Sequence, residues 1–199
     1  MATGQRSSGL SARAALMFQG GIGLAGLGLI WLFAIPVQWD GLGLIRVVVF
    51  GALGAAITYL VLLLLSLVPG LFPDDLERQM RGLYHFARSF PWTVLAALSA
   101  LAGVGEELLF RGAVQGWLTG TVGPWMALIV SAVLFGLVHY VSFTYFLVAT
   151  GLGVVLGAAY HFSDSLALVM VWHGLYDMMA LFFLIRFPHW FGIQNQDAR

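Results

Sequence analysis

The chain has 199 residues, of which 60% are hydrophobic and 9% charged, with a formal net charge of zero, and its mean hydropathy is +0.92. A soluble domain carries about 25% charged residues, so the composition excludes an ordinary soluble protein and predicts an all-α, polytopic transmembrane bundle in a lipid bilayer. Balanced charge argues against nucleic acid as a partner. The lack of cysteine excludes disulfides, thiolate metal sites and a thiol nucleophile, and because every basic residue is arginine, lysine Schiff-base chemistry is excluded too.

Residues 1–12 are small and polar and read as a flexible cytoplasmic tail. The apolar run 14–35 is long enough to span a bilayer. A signal peptide is the competing reading, but its apolar region would run about 7–15 residues and end at a small-residue cleavage site. No such site precedes Pro36. A link holding Asp40 and Arg46 leads to a second span over 47–68, which closes at Pro69 and Gly70. The strongly polar stretch 73–89 follows. Leu76, Met80, Leu83 and Phe86 recur there at helical spacing, which predicts an amphipathic helix on the membrane surface, with a solvated loop as the alternative. Together, 13–90 form two N-terminal spans and a polar connector.

The third span, 91–119, is long and carries Glu106, Glu107 and Arg111. A tight turn from Thr119 to Pro124 precedes a fourth span over 125–140. The fifth covers 143–160, with Ala149, Gly153 and Gly157 on one face for close helix packing. Ser163 and Asp164 are candidate caps for the sixth, 166–187, and 188–199 read as a C-terminal tail. Trp39, Trp92, Trp125 and Trp190 fit an interfacial belt, and His85, His161 and His189 fall near span ends where no function is required of them. Six spans place both termini on one side. Setting that side in the cytoplasm puts Arg6, Arg13, Arg78, Arg81, Arg88, Arg186 and Arg199 inside and only Arg46 outside, as the positive-inside rule expects.

No charged residue occurs from Phe90 to Gly105 or from Gly112 to Val138, so Glu106, Glu107 and Arg111 stand alone in an apolar segment. An ionisable group in hydrocarbon costs a few kcal/mol unless it is paired or faces a polar cavity, and it marks a functional site by default. Glu107 and Arg111 are four apart, acid first, the better orientation for a helical ion pair. Glu106 sits about 100° away around the helix and must point elsewhere. Two further spans carry polar pairs at the same spacing, Phe135 with His139 and His173 with Asp177. At about 1.5 Å per residue, Glu106 lies about 20 Å from Thr119, His139 about 23 Å from Pro124, and His173 and Asp177 about 14 and 20 Å from Asp164. Straight helices would therefore bring all four to similar depth.

Glu106-Glu107-x-x-x-Arg111, then Phe135-x-x-x-His139, then His173-x-x-x-Asp177, in that order, resembles the CAAX-protease-and-bacteriocin-processing (CPBP, or Abi) family of intramembrane endopeptidases, which includes the type II CAAX prenyl endopeptidases. The resemblance covers about 91–187. It implies hydrolysis of a peptide bond in a membrane-associated or lipidated substrate. In that reading Glu106 is the general base, His139 shares its water, His173 stabilises the oxyanion with Asp177 beside it, Arg111 neutralises Glu107, and Phe135 packs the helix. Many prenyl endopeptidases have Asn where this chain has Asp177. An aspartate donates a hydrogen bond only when protonated and otherwise would orient His173. No cofactor is favoured. The alternative is zinc held by Glu106, His139, His173 and Asp177, against which stands the lack of a His-Glu-x-x-His element. A proton relay and a non-catalytic scaffold on the same fold are the competing functions.

Overall fold

The computed structural model describes residues 11–68, 70–71 and 76–193. The expected tail up to residue 10, Asp74, Asp75 and the chain from 194 onward lie outside these. Among the described residues the regular structure is helical: α1 (Ala12–Leu32), α2 (Leu44–Ser66), α3 (Leu76–Arg88), α4 (Trp92–Val122), α5 (Pro124–Val138), α6 (Phe143–Ser163) and α7 (Leu166–Arg186). Five of them are long and apolar enough to cross a membrane, and α5 is a shorter apolar helix of 15 residues. The chain is an integral membrane protein with an all-α polytopic bundle.

Local chemistry sets the helix ends. Ser11 caps α1, its hydroxyl accepting from Ala14 N–H at 3.2 Å. The expected turn at 119–124 is tighter than its composition suggests. Helix α4 continues to Val122, and Gly123 alone makes the corner, at φ +81°, with Pro124 as the first residue of α5. Helix α6 runs past Tyr160 to Ser163 and stops at Asp164, which adopts a left-handed conformation with φ 49°. The cap of α7 is therefore Ser165, whose hydroxyl accepts from Leu168 N–H at 3.2 Å, and not Ser163 or Asp164. The loop after α1 crosses this end, where the carbonyls of Gln38 and Trp39 accept from Leu166 and Ala167 N–H at 2.8 and 3.0 Å. These bonds satisfy the amides that a helix start leaves without intrahelical partners.

Helix α7 lies between α2 and α4, α1 packs on α4, and the α5–α6 pair packs on the far half of α4. Small residues let the backbones approach, as expected where lipid supplies no hydrophobic drive between helices. A Cβ on Gly103 would lie 2.6 Å from Gly174 N. One on Gly153 would lie 3.0 Å from Ala132 Cα, which gives the small face of α6 its partner on α5.

The polar stretch before α4 is helical, and α3 is amphipathic. Its buried face is centred on Tyr84 and Ala87, with Met80 and Leu83 beside Tyr84 against Leu184 and Ile193. Phe86, expected on that face, is 39% exposed and makes an edge contact with Phe90 instead. Arg88 lies over the Tyr84 ring, 5.3 Å from its centroid.

Candidate active site

The middle of α4 is not a regular α-helix. From Leu108 to Gln115 it widens to π geometry, and Gly116 N–H reaches back to Arg111 O. Such segments are rare and often accompany functional sites. Glu106 and Glu107 close the regular part just before it. A widened turn redirects backbone carbonyls toward neighbouring helices, and the buried Ser131 of α5 donates to Phe110 O at 2.7 Å.

Glu107 and Arg111 are both fully buried. Arg111 Nη1 donates to Glu107 Oε1 at 2.7 Å, and Nη2 donates to Gly153 O on α6 at 3.1 Å. The guanidinium carbon sits 4.7 Å above the Phe135 ring, a cation–π arrangement that is strengthened by desolvation. Glu107 Oε1 also lies 2.7 Å from His173 Nδ1. With the carboxylate paired to Arg111, His173 Nδ1–H is the donor. Glu107 thus anchors α4 to α7 and fixes which edge of His173 faces inward.

His139 lies one residue beyond α5, as its C-cap. Its Nδ1 is 2.8 Å from Phe135 O. A carbonyl can only accept, so Nδ1 carries the proton and Nε2 is left facing Glu106. Phe135, itself buried, contacts both imidazoles, with ring centroids 4.4 Å from His139 and 5.8 Å from His173. One phenyl ring therefore supports Arg111 and both histidines.

Glu106 points away from Glu107, as adjacent helical positions must. Its Oε2 lies 3.5 Å from His139 Nε2 and 3.9 Å from His173 Nε2. This oxygen is buried and has no hydrogen-bond partner in the protein. Buried polar atoms are nearly always satisfied, so an unpaired carboxylate oxygen aimed between two imidazole nitrogens is where a water or a substrate group belongs. Its other oxygen, Oε1, accepts from Gln19 Nε2 of α1 at 2.6 Å. Asp177 Oδ2 stands 3.7 Å from His173 Nε2, beyond hydrogen-bond distance. The carboxylate that orients His173 is accordingly Glu107 and not Asp177.

Residues 88–179 match the family described as type II CAAX prenyl endopeptidase Rce1-like. That segment holds Glu106, Glu107, Arg111, Phe135, His139, His173 and Asp177. The match supports the resemblance of this segment to the CPBP family. At the level of the family the match supports a CAAX-type intramembrane protease. Neither the comparison with curated proteins nor that with solved structures gave a match.

The matched segment borders a cavity of about 460 Å³ whose lining is mostly apolar. Glu106 and Asp177 stand in its wall, with Gln19, Ser99, Tyr145 and Tyr176 as further polar groups. Phe18 of α1, Leu63 of α2, Met80, Leu83 and Phe86 of α3 and Leu181 of α7 supply apolar surface. A few placed polar groups in an apolar chamber are the usual build of a site for a lipid-like or extended apolar ligand. Among the described residues, no group of three or more His, Cys, Asp or Glu side chains is arranged to hold a metal ion.

Three features of the site were not read from the sequence. The π segment leaves no periodic signature. The Glu107–His173 bond joins residues 66 apart. Gln19 did carry a signal, since it is the only amide, hydroxyl or charged side chain between Arg13 and Gln38, and a polar group in a span asks for a partner.

Proposed function

We propose that this chain is a glutamate-type intramembrane endopeptidase in which Glu106 and His139 activate a water. The observation that carries this reading is Glu106 Oε2, buried and unpaired, facing the Nε2 atoms of two histidines at the wall of an apolar chamber. A water accepted there would donate one proton toward Glu106 Oε2 and the other toward His139 Nε2, which its Nδ1–H bond leaves free to accept. As the water oxygen attacks the scissile carbonyl carbon, its proton passes to Glu106. The carbonyl oxygen becomes an oxyanion, toward which His173, as an imidazolium with Nδ1–H held by Glu107, would donate Nε2–H, with a protonated Asp177 beside it. When the C–N bond breaks, the proton held by Glu106 goes to the leaving amine and the carboxylate is restored.

The supporting groups hold this arrangement without taking part in the bond changes. Arg111 keeps Glu107 neutralised, and Glu107 keeps His173 turned. The chamber suits a membrane-associated peptide with an apolar segment, a prenylated C-terminus among them. With α1 entering from the cytoplasm, Arg13, Arg78, Arg81, Arg88 and Arg186 would share the cytoplasmic side, together with α3, which lines the chamber.

The test is proteolysis by purified protein, in detergent or liposomes, of quenched fluorescent peptides that include farnesylated C-termini. Wild type cleaves, Glu106→Gln and His139→Ala lose at least about a hundredfold in rate while remaining folded, and a strong chelator leaves the wild-type rate unchanged. Full activity in Glu106→Gln ends this reading, and loss of activity in chelator moves it to a metal mechanism.

A further inference from the structure

We propose that Gln19, on α1 and outside the matched 88–179 core, is a positioning residue of the active site. It holds one oxygen of Glu106 so that the other is presented to the histidines. The proposal rests on Glu106 being the base.

Gln19 Nε2 donates to Glu106 Oε1 at 2.6 Å. The geometry divides the carboxylate cleanly, since Oε1 is bound by this amide while Oε2 is unpaired and faces His139 and His173. A glutamate side chain has three rotatable bonds. Without a fixed partner Oε1 and Oε2 could exchange, or the group could swing into the chamber that it lines. A charge-assisted hydrogen bond is stronger than a neutral one, enough to select one rotamer from several.

The backbone of α1 is locked at the same level. Gly23, one turn beyond Gln19, packs on Gly105, the residue before Glu106, and a Cβ on Gly23 would lie 3.2 Å from Gly105 Cα. A Cβ on Gly105 would lie 3.1 Å from Gln19 O. A Cβ on Gly26 would meet Leu109 N at 2.7 Å. This close backbone contact sets the height of the Gln19 amide against Glu106. The residue type fits the task as well. An apolar residue would suit a lipid-facing helix better but could not donate. A lysine or arginine would set a full positive charge against the base. An amide donates while leaving the charge of Glu106 unchanged.

The experiment is steady-state cleavage of a quenched fluorescent, farnesylated peptide by the purified full chain in detergent, comparing wild type, Gln19→Met, Gln19→Glu and Glu106→Gln, with thermal unfolding recorded for each. Methionine fills the same space without a donor. Glutamate keeps the shape and replaces the amide, so it decides the question if the methionine variant does not fold. The expected result is a fall in kcat of about tenfold or more in both Gln19 variants, with KM within about twofold of wild type. A kcat within about twofold of wild type in either folded variant overturns the proposal. So does a loss confined to KM, which would make Gln19 only a wall of the chamber. A dead Glu106→Gln beside fully active Gln19 variants removes this proposal alone. An active Glu106→Gln removes the reading of Glu106, and this one with it.

Discussion

Arg111 and Glu107 are each fully buried, and neither would be tolerated without the other. Taking one charge out of water costs several kcal/mol, and the pair recovers this only through close geometry and further hydrogen bonds. Here Arg111 reaches a carboxylate, the Gly153 carbonyl and the face of Phe135 together. Replacing it by methionine strands the Glu107 carboxylate in the interior. Arg111→Met is expected to lose about 3–5 kcal/mol of stability, read from reversible unfolding in mixed micelles. The double variant Arg111→Met/Glu107→Gln should recover part of that loss, because no unpaired charge then remains. It should not recover activity, because Glu107 also holds His173. Asp177 teaches the opposite lesson at the same scale. Spacing alone places it beside His173, yet at 3.7 Å it is a neighbour of the ring and not the group that orients it.

Among the helices, α4 is the element on which the site is hung. Its regular half carries the two glutamates, and its π half carries Arg111 inward and turns the Phe110 carbonyl to Ser131. Its register against α7 is set where Gly103 meets Gly174, next in sequence to His173. A Cβ at Gly103 would collide with backbone, which cannot rotate away as a side chain can. Gly103→Ala should therefore cost about 1–3 kcal/mol of stability and, in the protein that still folds, stretch the Glu107–His173 bond. The check is a thermal midpoint measured beside the specific activity of the folded fraction, and both should fall. Gly82, whose Cβ would meet nothing within 4 Å, supplies a control position at which alanine should leave both unchanged.

For the molecule as a whole, the chamber ties the matched core to the rest of the chain. Its two acidic groups, Glu106 and Asp177, come from α4 and α7, while α1, α2 and α3 contribute much of its apolar surface. The parts least diagnostic of family thus shape what the core can accept. Ala180 lines the chamber one turn beyond Asp177. Ala180→Phe should fill space that the substrate needs and raise KM several-fold, by about 1–2 kcal/mol of lost binding, with kcat changed much less. Initial rates over a range of peptide concentrations distinguish this from damage to the chemistry, which would lower kcat first.

Composition and hydrophobic periodicity by themselves determined that the chain is helical, that it spans a membrane, and roughly where each span lies. These follow from local solvation, which every apolar run of sufficient length must satisfy in the same way. Helical spacing likewise made the Glu107–Arg111 pair legible and sent Glu106 to a different face, because 3.6 residues per turn is a local rule. Only the tertiary structure decided which partner each group meets across helices: Glu107 for His173, Gln19 for Glu106, Gly153 O for Arg111 and one phenyl ring beneath three charged or titratable groups. Those contacts depend on glycine-mediated approach and on a π segment that shifts register within α4. Neither has a periodic signature, because each is fixed by the shape of the neighbouring helix and not by the sequence of its own.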